Sequence, residues 1–197
     1  MQNEIWFRPL VWMDYRLAVL FTVVIPLVLL VWAFVQKAEA IQRLLAIYWR
    51  VSSLLAITVY LFVASLSVGF VSGILARLLI PISLWFWVDL NEEIDDQPKS
   101  SLKLVFTSWR WAVTVYGILS ALAVLPFLQC VVSTALASPF CHVWLEPTLL
   151  YAYYIHPHTK SQFLGFLAIV ALTIYTLYFL YFVFVKLSKQ GRSAIPQ

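Results

Sequence analysis

The stretch that decides the fold is Leu66–Val88, which reads LSVGFVSGILARLLIPISLWFWV. Its length exceeds the roughly 20 apolar residues that a helix needs to cross the hydrocarbon core of a bilayer. A single charge, Arg77, stands near its middle. A charge at that depth is costly and usually faces protein or a water-filled cavity. The stretch therefore predicts a membrane-spanning helix that packs against other helices around Arg77.

The rest of the chain has the same apolar character. Of its 197 residues, 63% are hydrophobic and 11% are charged, whereas soluble domains carry roughly 25% charged residues. Four other runs are long enough to span a bilayer. We expect an all-α integral membrane bundle, a single transmembrane helical domain over residues 1–197. Its five helices are predicted at about residues 17–35, 44–64, 66–88, 104–128 and 163–185, with an outer loop at residues 129–162.

The basic residues predict the orientation of the bundle, because cytoplasmic loops carry an excess of Lys and Arg. With the carboxyl terminus cytoplasmic and the amino terminus outside or lumenal, nine of the 13 basic residues fall at cytoplasmic helix ends. The amino-terminal tail, with Trp6, Phe7 and Trp12, is expected to lie along the outer surface. The formal charge of +4 forms no continuous basic patch, so a nucleic-acid partner is not expected.

A repeat of four residues surrounds Arg77. Its members are Ser65, Gly69, Gly73, Arg77 and Pro81. Gly69 and Gly73 form a GxxxG pair, which allows a second helix to approach closely. Pro81 has no N–H to donate to the carbonyl of Arg77, four residues earlier. Arg77 is therefore expected to face a packed neighbour, with its own carbonyl free.

No Asp or Glu lies within the five apolar runs, so an ion partner for Arg77 at its own depth is not expected within this chain. The alternatives are backbone carbonyls, Ser and Thr hydroxyls such as those of Ser52, Ser53 and Thr58, the Tyr60 hydroxyl, a lipid head group, or a carboxylate of another subunit. An arginine that extends towards the membrane surface, or that is satisfied by carbonyls, is the simplest interpretation.

An acidic cluster follows the third span, and its members are Asp89, Glu92, Glu93, Asp95 and Asp96. Four of them recur at helical spacing, which predicts a helix that continues out of the membrane until Pro98 interrupts it. A solvated loop, a docking surface for a basic partner, and a Mg²⁺ site are the three interpretations. A metal-dependent prenyl-transfer site would need a second facing acidic cluster, which is absent from the sequence.

The outer loop contains both cysteines of the chain, Cys130 and Cys141. They are expected to form a disulfide on the oxidising side of the membrane. His142, His156 and His158 share this loop, but their spacing matches no standard metal-ligand pattern. We therefore expect no metal, no cofactor and no catalytic residues. Aromatic side chains crowd the last span and predict a packing surface, with pigment or quinone contact as the alternative.

Four segments carry a resemblance to a known family. They are ISLWFWVDLNEEIDD at Ile82–Asp96, SWRWA at Ser108–Ala112, PFCHVWLEP at Pro139–Pro147 and KQGRSA at Lys189–Ala194. Nearly the whole chain resembles a family of small multi-pass membrane proteins of cyanobacteria that is classified as a domain of unknown function. The resemblance implies a photosynthetic bacterial host and a thylakoid or plasma-membrane location. It supplies no catalytic residues.

These observations predict a non-enzymatic integral membrane protein, surrounded by lipids and bound to other integral membrane proteins. It would dock to a larger membrane complex or assist its assembly, and a photosystem is one candidate for that complex. A small transporter or channel that uses Arg77 for an anion is the alternative. A lipid-modifying enzyme that uses the acidic cluster is a weaker third hypothesis.

Overall fold

The computed structural model describes residues 5–132 and 138–194, apart from the side chain of Gln190. Every regular element in these two ranges is helical. The helices are α1 Arg8–Val35, α2 Glu39–Val63, α3 Val68–Phe86, α4 Val88–Asp96, α5 Ser101–Val124, α6 Pro139–His142, α7 Glu146–Ile155 and α8 Ser161–Lys189. The predicted all-α class is confirmed. Residues 133–137 of the predicted outer loop lie outside the described residues.

Five helices, α1, α2, α3, α5 and α8, are long and apolar enough to cross a membrane. Their number agrees with the prediction, but α1 begins at Arg8 and not at residue 17. Pro9 lies in its first turn, where the missing N–H of a proline costs nothing. Phe7 and Val11 are buried in the core. The prediction of a tail along the outer surface was therefore wrong for this segment, which extends the first long helix.

Pro26 shapes the middle of α1. It cannot donate to the carbonyl of Thr22, and a π-helical turn, Leu20–Val24, precedes it. Neighbouring helices use the carbonyls of this turn: Tyr48 donates to Thr22 at 2.7 Å and the Trp109 indole donates to Phe21 at 2.8 Å. Side chains from α2 and α5 thus satisfy the irregular backbone, as required where water is scarce.

The spans alternate in direction, so the bundle has two ends. The disulfide end carries the start of α1 and the helices α6 and α7, and the acidic end carries α4 and the carboxyl-terminal tail. Helix α2 lies at the centre, in contact with α1, α3, α4, α7 and α8. The turn from α2 to α3 passes through Ser65, whose φ is +54°.

Two apolar clusters fill the bundle. The cluster at the acidic end includes Leu29, Tyr48, Ile80 and Phe106. At the disulfide end the rings of Phe127 and Phe140 stack with their centroids 4.6 Å apart, in a cluster that also contains Val11, Ile74 and Val124. On α3 the first cluster reaches Ile80 and the second reaches Ile74. Arg77 lies between them, in a polar layer that separates the two apolar clusters.

The predicted outer loop is largely helical. A 3-10 segment, Leu125–Val131, continues α5, and α6 and α7 follow the residues that are not described. Cys130 and Cys141 are joined by a disulfide with their Cα atoms 5.7 Å apart. Glu146, at the start of α7, accepts from the Arg8 guanidinium at 2.8 Å. The disulfide thus joins the 3-10 segment to α6, and the ion pair attaches the loop to the beginning of α1.

Candidate functional site

The polar layer is built around an ion pair between α1 and α3. Nη2 of Arg77 lies 2.8 Å from Oδ2 of Asp14, and their side chains are 12% and 14% exposed. The expectation that Arg77 has no ion partner at its own depth in this chain was therefore wrong. Asp14 precedes the first apolar run by only three residues, and α1 carries it to the level of Arg77 because the helix begins earlier than predicted.

Two side chains of α5 complete the layer. Ser120 accepts from Nε of Arg77 at 2.7 Å and donates to Oδ1 of Asp14. The hydroxyl of Tyr116 lies 2.9 Å from Oδ1 of Asp14 and 3.0 Å from its carbonyl oxygen. Nη1 of Arg77 donates to the carbonyl of Gly73 at 3.1 Å. The layer therefore connects α1, α3 and α5 through charge-assisted hydrogen bonds, which are stronger than neutral ones.

The predicted partners of Arg77 were only partly right. A backbone carbonyl and a serine hydroxyl do accept from its guanidinium, as two of the predicted kinds of partner. The serine is Ser120, however, and not one of the four residues that were named. The hydroxyl oxygen of Thr58 instead lies 2.9 Å from that of Ser72, and the hydroxyl oxygen of Tyr60 lies 3.0 Å from Nε2 of His156. The sequence carries one signal for Asp14, helical spacing, and it applies only once the first helix begins before residue 17. Val11, Asp14 and Ala18 follow one another at intervals of three and four residues, so they share one face of a helix.

Glycines bring the helices close to this layer. A Cβ on Gly73 would lie 3.3 Å from Cγ2 of Thr58 on α2, and one on Gly69 would lie 2.7 Å from the ring of Phe62. The predicted packing pair thus faces α2. Gly117 on α5 lies against the carbonyl of Arg77, which Pro81 leaves free. A Cβ on Gly117 would be 2.9 Å from that carbonyl oxygen, and this glycine was not among the predicted packing residues.

The acidic cluster forms a helix of its own. Trp87, with φ −84° and ψ 102°, separates α3 from α4, so the predicted continuous extension of the third span was wrong. Leu90 and Ile94 are fully buried beneath α4. The carboxylates of Glu92, Glu93, Asp95 and Asp96 lie on exposed residues, and no salt bridge joins them to a cation in residues 5–132 and 138–194. We call these four residues the acidic surface.

Asp89 has a different role from the acidic surface with which it was grouped. Its Oδ2 accepts from the Ser193 hydroxyl at 3.0 Å and from the Ala194 N–H at 2.8 Å. Nearby, Val88 donates its N–H to the carbonyl of Arg192 at 3.2 Å. Asp89 therefore holds the carboxyl-terminal tail and is not part of an open docking surface.

Both ends of α4 are held in place. The carboxyl-terminal tail is attached to the first turn of α4. At the other end of α4, the Lys103 ammonium donates to the carbonyls of Asp95 and Gln97 at 2.6 and 2.8 Å. A cation at this end also interacts favourably with the helix dipole. These contacts fix the orientation of α4, and therefore of the acidic surface, relative to the bundle.

The remaining polar candidates lie at the disulfide end of the bundle. In the described part of the chain, His, Cys, Asp and Glu side chains form no group of three that could hold a metal ion. Glu146 is engaged by Arg8 and by the Trp12 indole at 3.3 Å. Nε2 of His156 lies within hydrogen-bond distance of the hydroxyl of Tyr60 on α2, which is 96 residues earlier in the chain.

These features define an all-helical protein with five helices long and apolar enough to cross a membrane, a partly buried ion pair at its centre and an acidic helix at one end. The chain belongs to the family described as "Protein of unknown function (DUF3177)", whose sequence model matches residues 8–195. That range covers every long helix and the tail that binds Asp89. Comparison with curated proteins and with solved structures returned no match for the chain.

Proposed function

We propose that this chain is a non-enzymatic integral membrane protein that docks to a larger membrane complex or assists its assembly. The observation that carries the proposal is the acidic surface, four carboxylates on a helix whose position is fixed at both ends. Complementary charge guides the encounter of two proteins and sets their register. A fixed row of carboxylates is suited to a partner that presents Lys and Arg at the same membrane face.

The apolar surface of the bundle supports the same proposal. Helices α1 and α8 are the least buried of the five long helices, and they leave apolar side chains for lipid or for neighbouring membrane proteins. The basic residues favour an orientation with the acidic end in the cytoplasm and the amino terminus outside. The family resemblance favours a cyanobacterial thylakoid or plasma membrane, and makes a photosystem the first complex to examine.

The two alternative functions receive less support from the geometry. An anion path through Arg77 would need a guanidinium available to the anion, whereas Asp14, Ser120 and Gly73 accept from its nitrogens. A lipid-modifying enzyme that uses the acidic cluster to hold a metal ion would need several ligands brought together, and the described His, Cys, Asp and Glu side chains form no group of three that could hold one.

The experiment compares complexes that are purified gently from the native membrane. In the test variant, Glu92 and Glu93 become Gln and Asp95 and Asp96 become Asn, so shape is kept and four charges are removed. We expect the wild-type chain to migrate in a larger complex on native gels. It should leave this complex as the salt concentration is raised, because the screening length between exposed charges is about 8 Å at physiological ionic strength and becomes shorter in more salt. The variant should migrate without its partner.

Glu39→Gln is the control for loss of an exposed carboxylate at the same end of the bundle, because Glu39 lies outside α4, where it pairs with Arg43. This control should keep the complex. A wild-type chain that migrates alone and copurifies with nothing reproducible would overturn the proposal, as would a four-residue variant whose complex is unchanged.

A further inference from the structure

A large cleft lies between α2, α3 and α8, in the half of the bundle nearest the acidic end. Its volume is about 1040 Å³, at the upper end of the roughly 300–1,000 Å³ of ordinary ligand pockets. Its walls are mainly apolar and include Ile57, Ile82, Ile174 and Phe182. From Ala171 to Lys186 the cleft follows α8 for about 22 Å at 1.5 Å per residue, which exceeds half the thickness of a bilayer hydrocarbon core, roughly 15 Å.

Three cations line this cleft, namely Arg50, Lys186 and Lys189. The described residues that line it include no Asp or Glu, and none of these cations takes part in a salt bridge within the described ranges. Side chains of a helix tilt towards its own amino terminus. Because α2 and α8 run in opposite directions, the side chains of Arg50 and Lys186 tilt towards each other along the cleft.

The wall that carries Lys186 has an unusual backbone. Residues Phe182–Lys186 form a π-helical turn, a feature that is frequent at functional sites. Phe182 packs on Trp87 with ring centroids 6.0 Å apart, and Ala194 of the tail also lines the cleft. The tyrosines of the last span, which were predicted to form a packing surface, contribute Tyr175 and Tyr178 to the same wall.

From this geometry we propose that the cleft is a binding site for an anionic membrane phospholipid. The acyl chains lie along the apolar walls, and the phosphate is bound by Arg50, Lys186 and Lys189. Charge complementarity selects the anionic headgroup, since the described residues that line the cleft offer three cations and no Asp or Glu. The proposal does not depend on the acidic surface or on the protein partner proposed for it.

The test measures phospholipid retained by the full-length chain in mild detergent, using native mass spectrometry. Phosphatidylglycerol is compared with phosphatidylcholine of the same acyl chains. We expect retention of phosphatidylglycerol to be the stronger, and Lys186→Gln with Lys189→Gln to weaken it about 25-fold, at about 5-fold for each cation near an anionic headgroup. The matched control, Lys37→Gln with Lys99→Gln, removes two charges from the same end outside the cleft and should leave retention unchanged.

Two further measurements distinguish the contribution of the acyl chains to lipid binding from that of the headgroup. Ala171→Phe narrows the apolar part and should weaken retention of both lipids while the preference for phosphatidylglycerol remains. Soluble glycerol phosphate should not compete. The proposal is overturned if the two lipids are retained equally, if the control weakens binding as much as the cleft variant, or if glycerol phosphate displaces the lipid. It is also overturned if the cleft variants change only the protein partners recovered from the membrane.

Discussion

Two arginines inside this bundle, the partly buried Arg77 and the fully buried Arg110, are accommodated in opposite ways. Arg77 on α3 is held by a carboxylate, a hydroxyl and a carbonyl. Arg110 on α5 is 2% exposed and lies against rings, with its guanidinium carbon 4.0 Å from the centre of Trp85 and 5.6 Å from that of Phe106. Its buried Nε has no hydrogen-bond partner among the described residues.

The difference shows what each arginine does for the fold. The partners of Arg77 come from three helices, so the ion pair fixes how α1, α3 and α5 are positioned relative to one another. Arg110 is stabilised by cation–π contact with the faces of aromatic rings. This attraction reaches about 2 kcal/mol when the cation is desolvated. Trp85 is itself positioned by a hydrogen bond to Thr114, 3.0 Å long. Arg77 therefore has a charged partner in direct contact, whereas Arg110 has none within salt-bridge distance among the described residues and interacts only at longer range with the exposed Asp95.

The largest effect is expected at Asp14. Asp14→Asn keeps the shape of the side chain but leaves the Arg77 charge without its counter-ion. Loss of one member of a buried ion pair costs about 3–5 kcal/mol, so the free energy of unfolding in mixed micelles should fall by that amount. Asp96→Asn, at an exposed carboxylate, should change it by less than about 0.5 kcal/mol.

A double variant sharpens this result. Asp14→Leu together with Arg77→Met removes both charges and should be close to wild type in stability, because apolar replacements of a whole buried pair are often neutral or stabilising. If Asp14→Asn were as mild as Asp96→Asn, the ion pair would not hold the three helices together and the contrast with Arg110 would disappear.

A smaller effect is expected at Gly117, which tests the packing beside the ion pair. In Gly117→Ala the new Cβ would lie 2.9 Å from the carbonyl oxygen of Arg77 and 3.1 Å from Cγ of Pro81. Because one of these atoms is backbone, α3 and α5 must move apart, and overpacking of this kind costs about 1–3 kcal/mol. The thermal midpoint in mild detergent should fall accordingly.

Leu119→Ala is the control for Gly117, since Leu119 lies on the same helix with 61% of its surface exposed. It should leave the midpoint nearly unchanged. Equal midpoints for Gly117→Ala and the wild type would mean that α3 and α5 are not closely packed at the level of Arg77.

The sequence predicts the spans far better than it predicts the polar layer. Apolar run length is a local property, and five runs become five long helices. The partner of Arg77 depends on where α1 begins, and that start is set by burial of Phe7 and Val11 against side chains more than a hundred residues away. Asp14 was left outside the first span because the local pattern of Trp and Arg favoured a segment at the membrane surface.

The acidic cluster shows the same limit. Its helical spacing is local and predicts the extent of α4 as far as Asp96. The break at Trp87 and the engagement of Asp89 depend on the tail, whose Arg192 also donates to the carbonyl of Phe86 at 3.0 Å. A contact between positions 89 and 194 leaves no periodic signal in a single sequence, so five carboxylates were grouped where the structure separates one from four.

The smallest effect is expected at Arg110. Arg110→Met loses the attraction of the rings but also removes a buried charge whose Nε is unsatisfied, and a thioether interacts favourably with aromatic rings. These changes oppose each other, so the free energy of unfolding should differ from wild type by less than about 1 kcal/mol, in contrast to Asp14→Asn. A double-mutant cycle with Trp85→Leu should give a coupling of about 0.5–2 kcal/mol between the two positions. A loss of 3 kcal/mol or more in Arg110→Met alone would show that this arginine, like Arg77, depends on an ionic partner, since aromatic faces alone cannot supply that much.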